Sequence, residues 1–263
     1  MIYELNHVGI VIRDLEKSLA FYEGALGGKV VSRNIIPSSQ TDVVYLQITG
    51  GMIELLHRRE PAPSEVFGIT HIGFMTDDLD GDFRALVDAG VTPLAQPKVA
   101  GSGVGRIAFV ADPNGARVEL LQRQPDYRTA PVANGLIESF DHYSMVANDL
   151  GAAMEFYRRR LGMKSLRTMR VESRQLDMEY LHYDYDVLEL LHRPEPQAGP
   201  IFGHFALRVE SVERALARMA AQGLAPEAGS PKRAGTGLGL VGIVPDPDGV
   251  RVELVDRADL RAL

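Results

Sequence analysis

Asp112-Pro-Asn-Gly-Ala-Arg-Val-Glu-Leu-Leu121 is a chain reversal followed by a short apolar strand with one carboxylate inside it. Proline presets φ and glycine accepts the positive φ that a tight turn needs. Val118-Glu119-Leu120-Leu121 then has the pattern of a buried strand, where an ionised Glu119 is costly unless a cation meets it. The same phrase returns as Asp246-Pro-Asp-Gly-Val-Arg-Val-Glu-Leu-Val255, with Glu253 in the matching place. Shorter echoes, Met52-Ile-Glu-Leu-Leu56 and Val187-Leu-Glu-Leu-Leu191, put Glu54 and Glu189 in similar surroundings.

Working outward, the opening of the chain is also repeated. Leu5-Asn-His-Val-Gly-Ile-Val-Ile-Arg-Asp-Leu15, followed by Phe21-Tyr22 and Leu26-Gly27, matches Phe140-Asp-His-Tyr-Ser-Met-Val-Ala-Asn-Asp-Leu150, followed by Phe156-Tyr157 and Leu161-Gly162. His142 stands 135 residues after His7, so the two halves are copies. Weaker restarts at Thr70-His71 and Gly203-His204 divide each half again. The expected organisation is a first domain over 1–124 (modules of about 1–63 and 64–124) and a Pro/Gly-containing linker over 125–136. A second domain follows over 137–263, with modules of about 137–198 and 199–263.

Every module has one layout. An alternating strand opens it, a helix follows, and three short strands close it, the last carrying the glutamate. Asp14 and Asp149 are the expected N-caps of the first and third helices, and Gly90 and Gly223 the stops of the second and fourth. Leu15, Leu19, Tyr22 and Leu26 form one apolar stripe, repeated at Leu150, Met154, Tyr157 and Leu161. The fold class is therefore α+β. One helix cannot cover both faces of a four-stranded sheet, so four βαβββ modules should pair into two cup-shaped, mixed-sheet domains. Pairing within a half and pairing across halves both remain open.

The bulk composition excludes several functions. With 263 residues, 45% hydrophobic and 24% charged, the chain can bury two ordinary cores. A net charge of −7 and the lack of any basic run argue against nucleic acid or an anionic membrane as partner. Zero cysteines remove disulfides, thiolate metal sites and a cysteine nucleophile. No apolar run has the length of a membrane span, and the N-terminus enters a strand pattern directly, so a cytoplasmic location is expected.

The four opening strands begin with His7, His71, His142 and His204, and the four closing strands hold Glu54, Glu119, Glu189 and Glu253. Each half thus contains His, Glu, His, Glu at nearly constant spacing. Imidazole nitrogen and carboxylate oxygen suit a divalent ion of intermediate hardness, and its charge makes buried glutamates tolerable. His57 and His192, three residues beyond Glu54 and Glu189, fall on the opposite strand face and are not expected to ligate; His182 is expected to be an ordinary strand residue.

Asn6-His-Val-Gly-Ile10, the Asp14-Leu15…Phe21-Tyr22…Leu26-Gly27 helix and the closing Asp112-Pro-Asn-Gly…Val118-Glu-Leu-Leu121 resemble the vicinal oxygen chelate superfamily. That superfamily includes glyoxalase I, methylmalonyl-CoA epimerase, bleomycin-binding proteins and extradiol ring-cleaving dioxygenases. The resemblance covers nearly the whole chain, twice, and implies metal ligands on inward-facing strands. The glyoxalase I-like pattern of four ligands fits His7, Glu54, His71 and Glu119, and again His142, Glu189, His204 and Glu253. In the epimerase Gln usually stands where this chain has Glu54 and Glu189. Dioxygenases carry an extra His and Tyr before the last Glu, and residues 100–110 and 234–244 contain neither.

The resemblance implies a metal-dependent isomerase, epimerase or lyase that stabilises an enediolate or enolate beside a substrate carbonyl. The ion would be Ni, Co, Zn, Mn or Fe. Glu119 and Glu253 would act as bases, with Glu54 and Glu189 returning the proton. Lys98, Arg106, Lys232 and Arg233 flank the glycine-rich turns 101–105 and 235–239 and would meet an anionic substrate tail. The alternatives are an extradiol dioxygenase and a non-catalytic small-molecule (antibiotic) binding protein. The partner is a small-molecule substrate, with the chain a monomer or homodimer.

Overall fold

The computed structural model describes residues 1–124, 126–131, 134–197 and 201–263. Its strands form two eight-stranded sheets, one from each half. The first contains β1 (Ile2–Val11), β2 (Lys29–Ile36), β3 (Thr41–Ile48), β4 (Gly51–Arg58), β5 (Gly68–Thr76), β6 (Pro93–Val99), β7 (Arg106–Ala111) and β8 (Arg117–Gln122). Their spatial order is β2-β3-β4-β1-β5-β8-β7-β6. The second repeats it with β9 (Ser139–Val146), β10 (Lys164–Val171), β11 (Leu176–His182), β12 (Val187–His192), β13 (Phe202–Arg208), β14 (Lys232–Arg233), β15 (Leu240–Pro245) and β16 (Arg251–Val255). This is the expected mixed-sheet architecture.

The question of pairing is resolved by the sheet order: modules pair within a half. The opening strands β1 and β5 run antiparallel side by side, and each pairs in parallel with the closing strand of its own module. Four strands carrying His or Glu are therefore contiguous at the centre of each sheet. The sheet curls until its edges meet, so that a Cβ placed on Gly101, in the β6–β7 turn, would lie 2.8 Å from Ile36 at the end of β2.

Alternation along β1 decides what faces where. His7 and Gly9 face the cup, whereas Val8, Ile10 and Ile12 join an apolar core that draws residues from both halves. Helices α1 (Leu15–Leu19), α2 (Leu79–Asp88), α3 (Leu150–Met154) and α4 (Val212–Ala220) pack on that core together with residues of the other strands. Asp14 and Asp149 cap α1 and α3 as expected, accepting from the backbone N–H of Lys17 and Ala152. The helices differ from expectation further on. Residues Ala20–Ala25 and Glu155–Arg160 widen into π-helical turns, which bring the sequence neighbours Phe21 and Tyr22, and Phe156 and Tyr157, inward together.

Those tyrosines pin the halves to one another. Tyr157 donates to Asp112 Oδ2 at 2.9 Å, and Tyr22 to Asp246 Oδ2 at 2.7 Å. Each aspartate also accepts two backbone N–H groups of its own turn, from Asn114 and Ala116 or from Asp248 and Val250. The turns that launch β8 and β16 are thus each anchored by a helix of the other half.

Of the expected linker, Pro125, Val132 and Ala133 lie outside the described residues, as does the expected module boundary at 198–199. The described part binds both halves. Thr129 exchanges hydrogen bonds with Gln47, and Arg128 reaches both Glu4 and Asp186, at 3.1 and 2.9 Å. Among the described residues no helix is long and apolar enough to cross a membrane.

Removing the Tyr157 hydroxyl leaves a buried carboxylate oxygen of Asp112 without its donor. Tyr157→Phe should cost about 1–3 kcal/mol of stability, read from denaturant midpoints at constant slope. A midpoint equal to that of the unaltered protein contradicts the pin.

Candidate metal centre

Register sets the ligands in the first cup. His7 lies opposite Gly73, which lies opposite Glu119; His71 lies opposite Gly9, which lies opposite Glu54. Each histidine therefore has a glycine for its neighbour, and the rings fold over those glycines. A Cβ on Gly9 would sit 1.9 Å from His71 Cε1, and one on Gly73 would sit 2.2 Å from His7 Cε1. Only hydrogen fits at either place.

The rings meet as a result. His7 Nε2 and His71 Nε2 are 3.2 Å apart. His7 Nε2 lies 3.3 Å from Glu119 Oε2 and 3.6 Å from Glu54 Oε2; His71 Nε2 lies 3.2 Å from Glu54 Oε2 and 3.7 Å from Glu119 Oε2. Ligands at about 2.0–2.2 Å from a common ion stand this far from one another. Glu119 Oε2 is buried without a hydrogen-bond partner, an orphaned acceptor in the middle of the cluster. The donor set and this orphan fit a divalent ion of intermediate hardness: ligand atoms of His7, His71 and Glu119 all lie within 4.8 Å of one another, and Glu54, 3.2 Å from His71, would complete the set.

Further contacts orient the first histidine. His7 Nδ1 meets Asn6 Oδ1 at 3.1 Å. The Asn6 amide is itself fixed, because its nitrogen donates to Glu4 Oε1 at 2.6 Å and its oxygen accepts from Arg123 Nη2 at 3.1 Å. Arg123 lies over both Tyr45 and Tyr127, 4.5 and 4.2 Å from their ring centres. An oxygen aimed at Nδ1 makes that nitrogen the donor and leaves the Nε2 lone pair facing the cluster.

Burial opposes charging of His7, but the adjacent carboxylates of Glu119 and Glu54 outweigh it and raise His7 to about 9. Burial likewise opposes ionisation of Glu54, yet His7 and His71 hold it well below the ordinary carboxylate range. In the second cup burial again opposes charging of His142, and Glu189 together with Asp141 raises it to about 10.

A cavity of about 620 Å³ opens from the first cluster. Glu54, His71 and Glu119 form part of its lining, with Tyr45, Phe109 and Leu121 as apolar wall. Of the four cations expected to meet substrate, Lys98 and Arg106 line this cavity. Arg106 is already paired with Asp80, at 2.5 and 2.9 Å. Lys232 and Arg233 form the exposed edge strand β14 of the second sheet. Arg117 was not among the expected residues; it lines the cavity and stacks 3.8 Å above the Phe109 ring. Period-two alternation from Glu119 puts Arg117 on the ligand face, a signal present in Arg117-Val-Glu119.

The second cup brings together His142, Glu189 and His204, with Nε2 atoms 3.3 Å apart, and Glu253 farther off at 3.9 Å from His204. His57, His192 and His182 stay out of both clusters. They bond to Asp42, the Ala147 carbonyl and the Tyr183 carbonyl.

With this geometry in place the comparisons are informative. The model of the Glyoxalase/Bleomycin resistance protein/Dioxygenase superfamily matches residues 4–120 and 139–254. The chain belongs to that superfamily. It is 25% identical to lactoylglutathione lyase of Schizosaccharomyces pombe, across 84% of this chain and 87% of that one. It is 34% identical to ethylmalonyl-CoA/methylmalonyl-CoA epimerase of Cereibacter sphaeroides, across 46% of this chain and 99% of the relative. Among solved structures it resembles the Mn(II)-bound glyoxalase from Novosphingobium aromaticivorans, with a TM-score of 0.69, 18% identity, and 98% and 84% of the two chains covered. The superfamily expectation is met, and these relatives bear lyase and epimerase names, in keeping with the expectation that favoured those reactions over ring cleavage.

Two outcomes test the site. A divalent ion must displace the proton that His7 holds up to about 9, so uptake releases protons below that pH. Affinity should rise with pH and level off near pH 9; calorimetry in buffers of different ionisation enthalpy counts the protons, and a flat profile contradicts the assignment. Asn6→Ala frees His7 Nδ1 and should weaken metal binding by about 10–100-fold in a chelator competition. Unchanged affinity would remove Asn6 from the site.

Proposed function

We propose that this chain is a metal-dependent lyase or epimerase acting beside a carbonyl, with the first cup as its working site. The observation that carries this reading is the His7, Glu54, His71, Glu119 cluster, with His–Glu separations of 3.2–3.7 Å, at the wall of a cavity of about 620 Å³. His7, Glu54, His71 and Glu119 would hold the ion, which when bound would supply Lewis acidity to a substrate oxygen.

The chain's own residues do the rest. Glu119 is the base: its side chain borders the cavity beside the histidine pair, so its carboxylate can accept a proton from a carbon bound alongside. Glu54, on the opposite side of the histidine pair, returns the proton. Tyr45, Phe109 and Leu121 exclude water from the reacting carbon. Lys98 and Arg117, which form no ion pair among the described residues, place positive charge at the cavity of a chain whose net charge is −7, which favours a substrate with an anionic tail. Lactoylglutathione and methylmalonyl-CoA, which the relatives' names give, both meet that description, and the Schizosaccharomyces pombe lyase aligns across 84% of this chain.

Deuterium incorporation from D₂O at the carbon beside the carbonyl, followed by NMR with each of these two compounds, tests the reading. Glu119→Gln should slow exchange by at least about 100-fold while the protein still binds an ion. Exchange as fast in Glu119→Gln as in the unaltered protein removes Glu119 as the base. No exchange with either compound, together with oxygen uptake on a catechol, replaces the lyase or epimerase reading with ring cleavage.

A further inference from the structure

The two clusters are not equivalent, and the difference begins at the glycines. Ser144 stands where the first half has Gly9, and Ala206 where it has Gly73. The register is unchanged, with Ser144 opposite both His204 and Glu189, and Ala206 opposite both His142 and Glu253. Two Cβ atoms therefore occupy the space over which the first-half rings fold.

Three consequences are visible. All four His–Glu approaches in the first cup lie within 3.7 Å, whereas His142 and Glu253 do not approach within 4.0 Å and His204 reaches Glu253 only at 3.9 Å. The Glu253 side chain is 19% exposed against 7% for Glu119. Glu189 is already occupied: Ser144 Oγ donates to its Oε2 at 2.6 Å and Tyr180 donates to its Oε1 at 2.5 Å. Oε2 is the oxygen turned towards His142 and His204, so the serine competes with an ion for that oxygen. Tyr45 sits beside Glu54 in the same register, which makes Ser144 the new donor. Asp141, in the place of Asn6, bonds His142 Nδ1 at 2.6 Å, but Arg257 bonds the same carboxylate oxygen and offsets its charge.

We infer that the chain holds one tightly bound divalent ion, in the first cup, and that Ser144 and Ala206 make the second cup a weak site that a bare pair of glycines would restore. This rests on the metal reading of the first cup. Calorimetric titration of the metal-stripped, full-length protein with MnCl₂ and with ZnCl₂ tests it. The expected isotherm has one tight site per chain and a second weaker by at least about 10-fold. His71→Ala should abolish the tight phase and His204→Ala should leave it in place. Ser144→Gly with Ala206→Gly should bring the second site to within a few-fold of the first. Two sites of equal affinity in the unaltered protein, or a tight phase lost in His204→Ala instead, overturn the inference while leaving metal binding intact. No uptake of either ion overturns both. If the double variant unfolds, Ser144→Gly alone, with its fold checked by circular dichroism, carries the test; no gain in second-site affinity then rejects Ser144 as the cause.

Discussion

Two imidazoles and two carboxylates are buried against one another at the centre of a β-sheet, and that concentration of ionisable groups constrains the rest of the molecule. Burying a carboxylate without compensation costs far more than a marginally stable domain has in reserve. The side chains meet the cost in part through shared protons, as the upward displacement of His7 and the downward displacement of Glu54 indicate. The unpartnered Glu119 Oε2 shows that protons alone leave the cluster incomplete. A divalent cation would complete it, and the arrangement of strands, glycines and supporting amides keeps those four groups close together.

The sheet achieves this by register. Because β1 and β5 are adjacent and antiparallel, each histidine faces a glycine across the ladder, and each glycine separates a histidine from a glutamate. Side chains that would otherwise stand side by side can then lean together over empty backbone. The support is distributed through the chain: Asn6 is fixed by Glu4 and Arg123, and Tyr157 from the other half anchors the turn before β8. Each cup is therefore built by one half and braced by the other.

Much of this was legible in the sequence. The 135-residue offset between His7 and His142, the capping aspartates and the four His/Glu strands follow from periodicity and turn chemistry, and the superfamily follows from the same motifs. Module pairing was not legible, because pairing within or across halves yields equally complete ligand sets. The π-helical turns were hidden because an apolar stripe at helical spacing does not report a local change of pitch. Gly9 and Gly73 read as ordinary strand glycines until the register places a ring over each, and for that reason the replacements at Ser144 and Ala206 carried no visible meaning. Arg123 and Tyr127 lie close in sequence, but their stacking with Tyr45 depends on the way the linker folds back onto the first sheet.

Anomalous diffraction from crystals of the full-length protein grown with Mn(II), Co(II) or Zn(II) addresses the central claim most directly. The account expects an anomalous peak in the first cup, about 2.0–2.3 Å from Nε2 of His7 and His71 and from an oxygen each of Glu54 and Glu119. No peak at that position, or a peak bound to other side chains while these four bond only to one another, would contradict it.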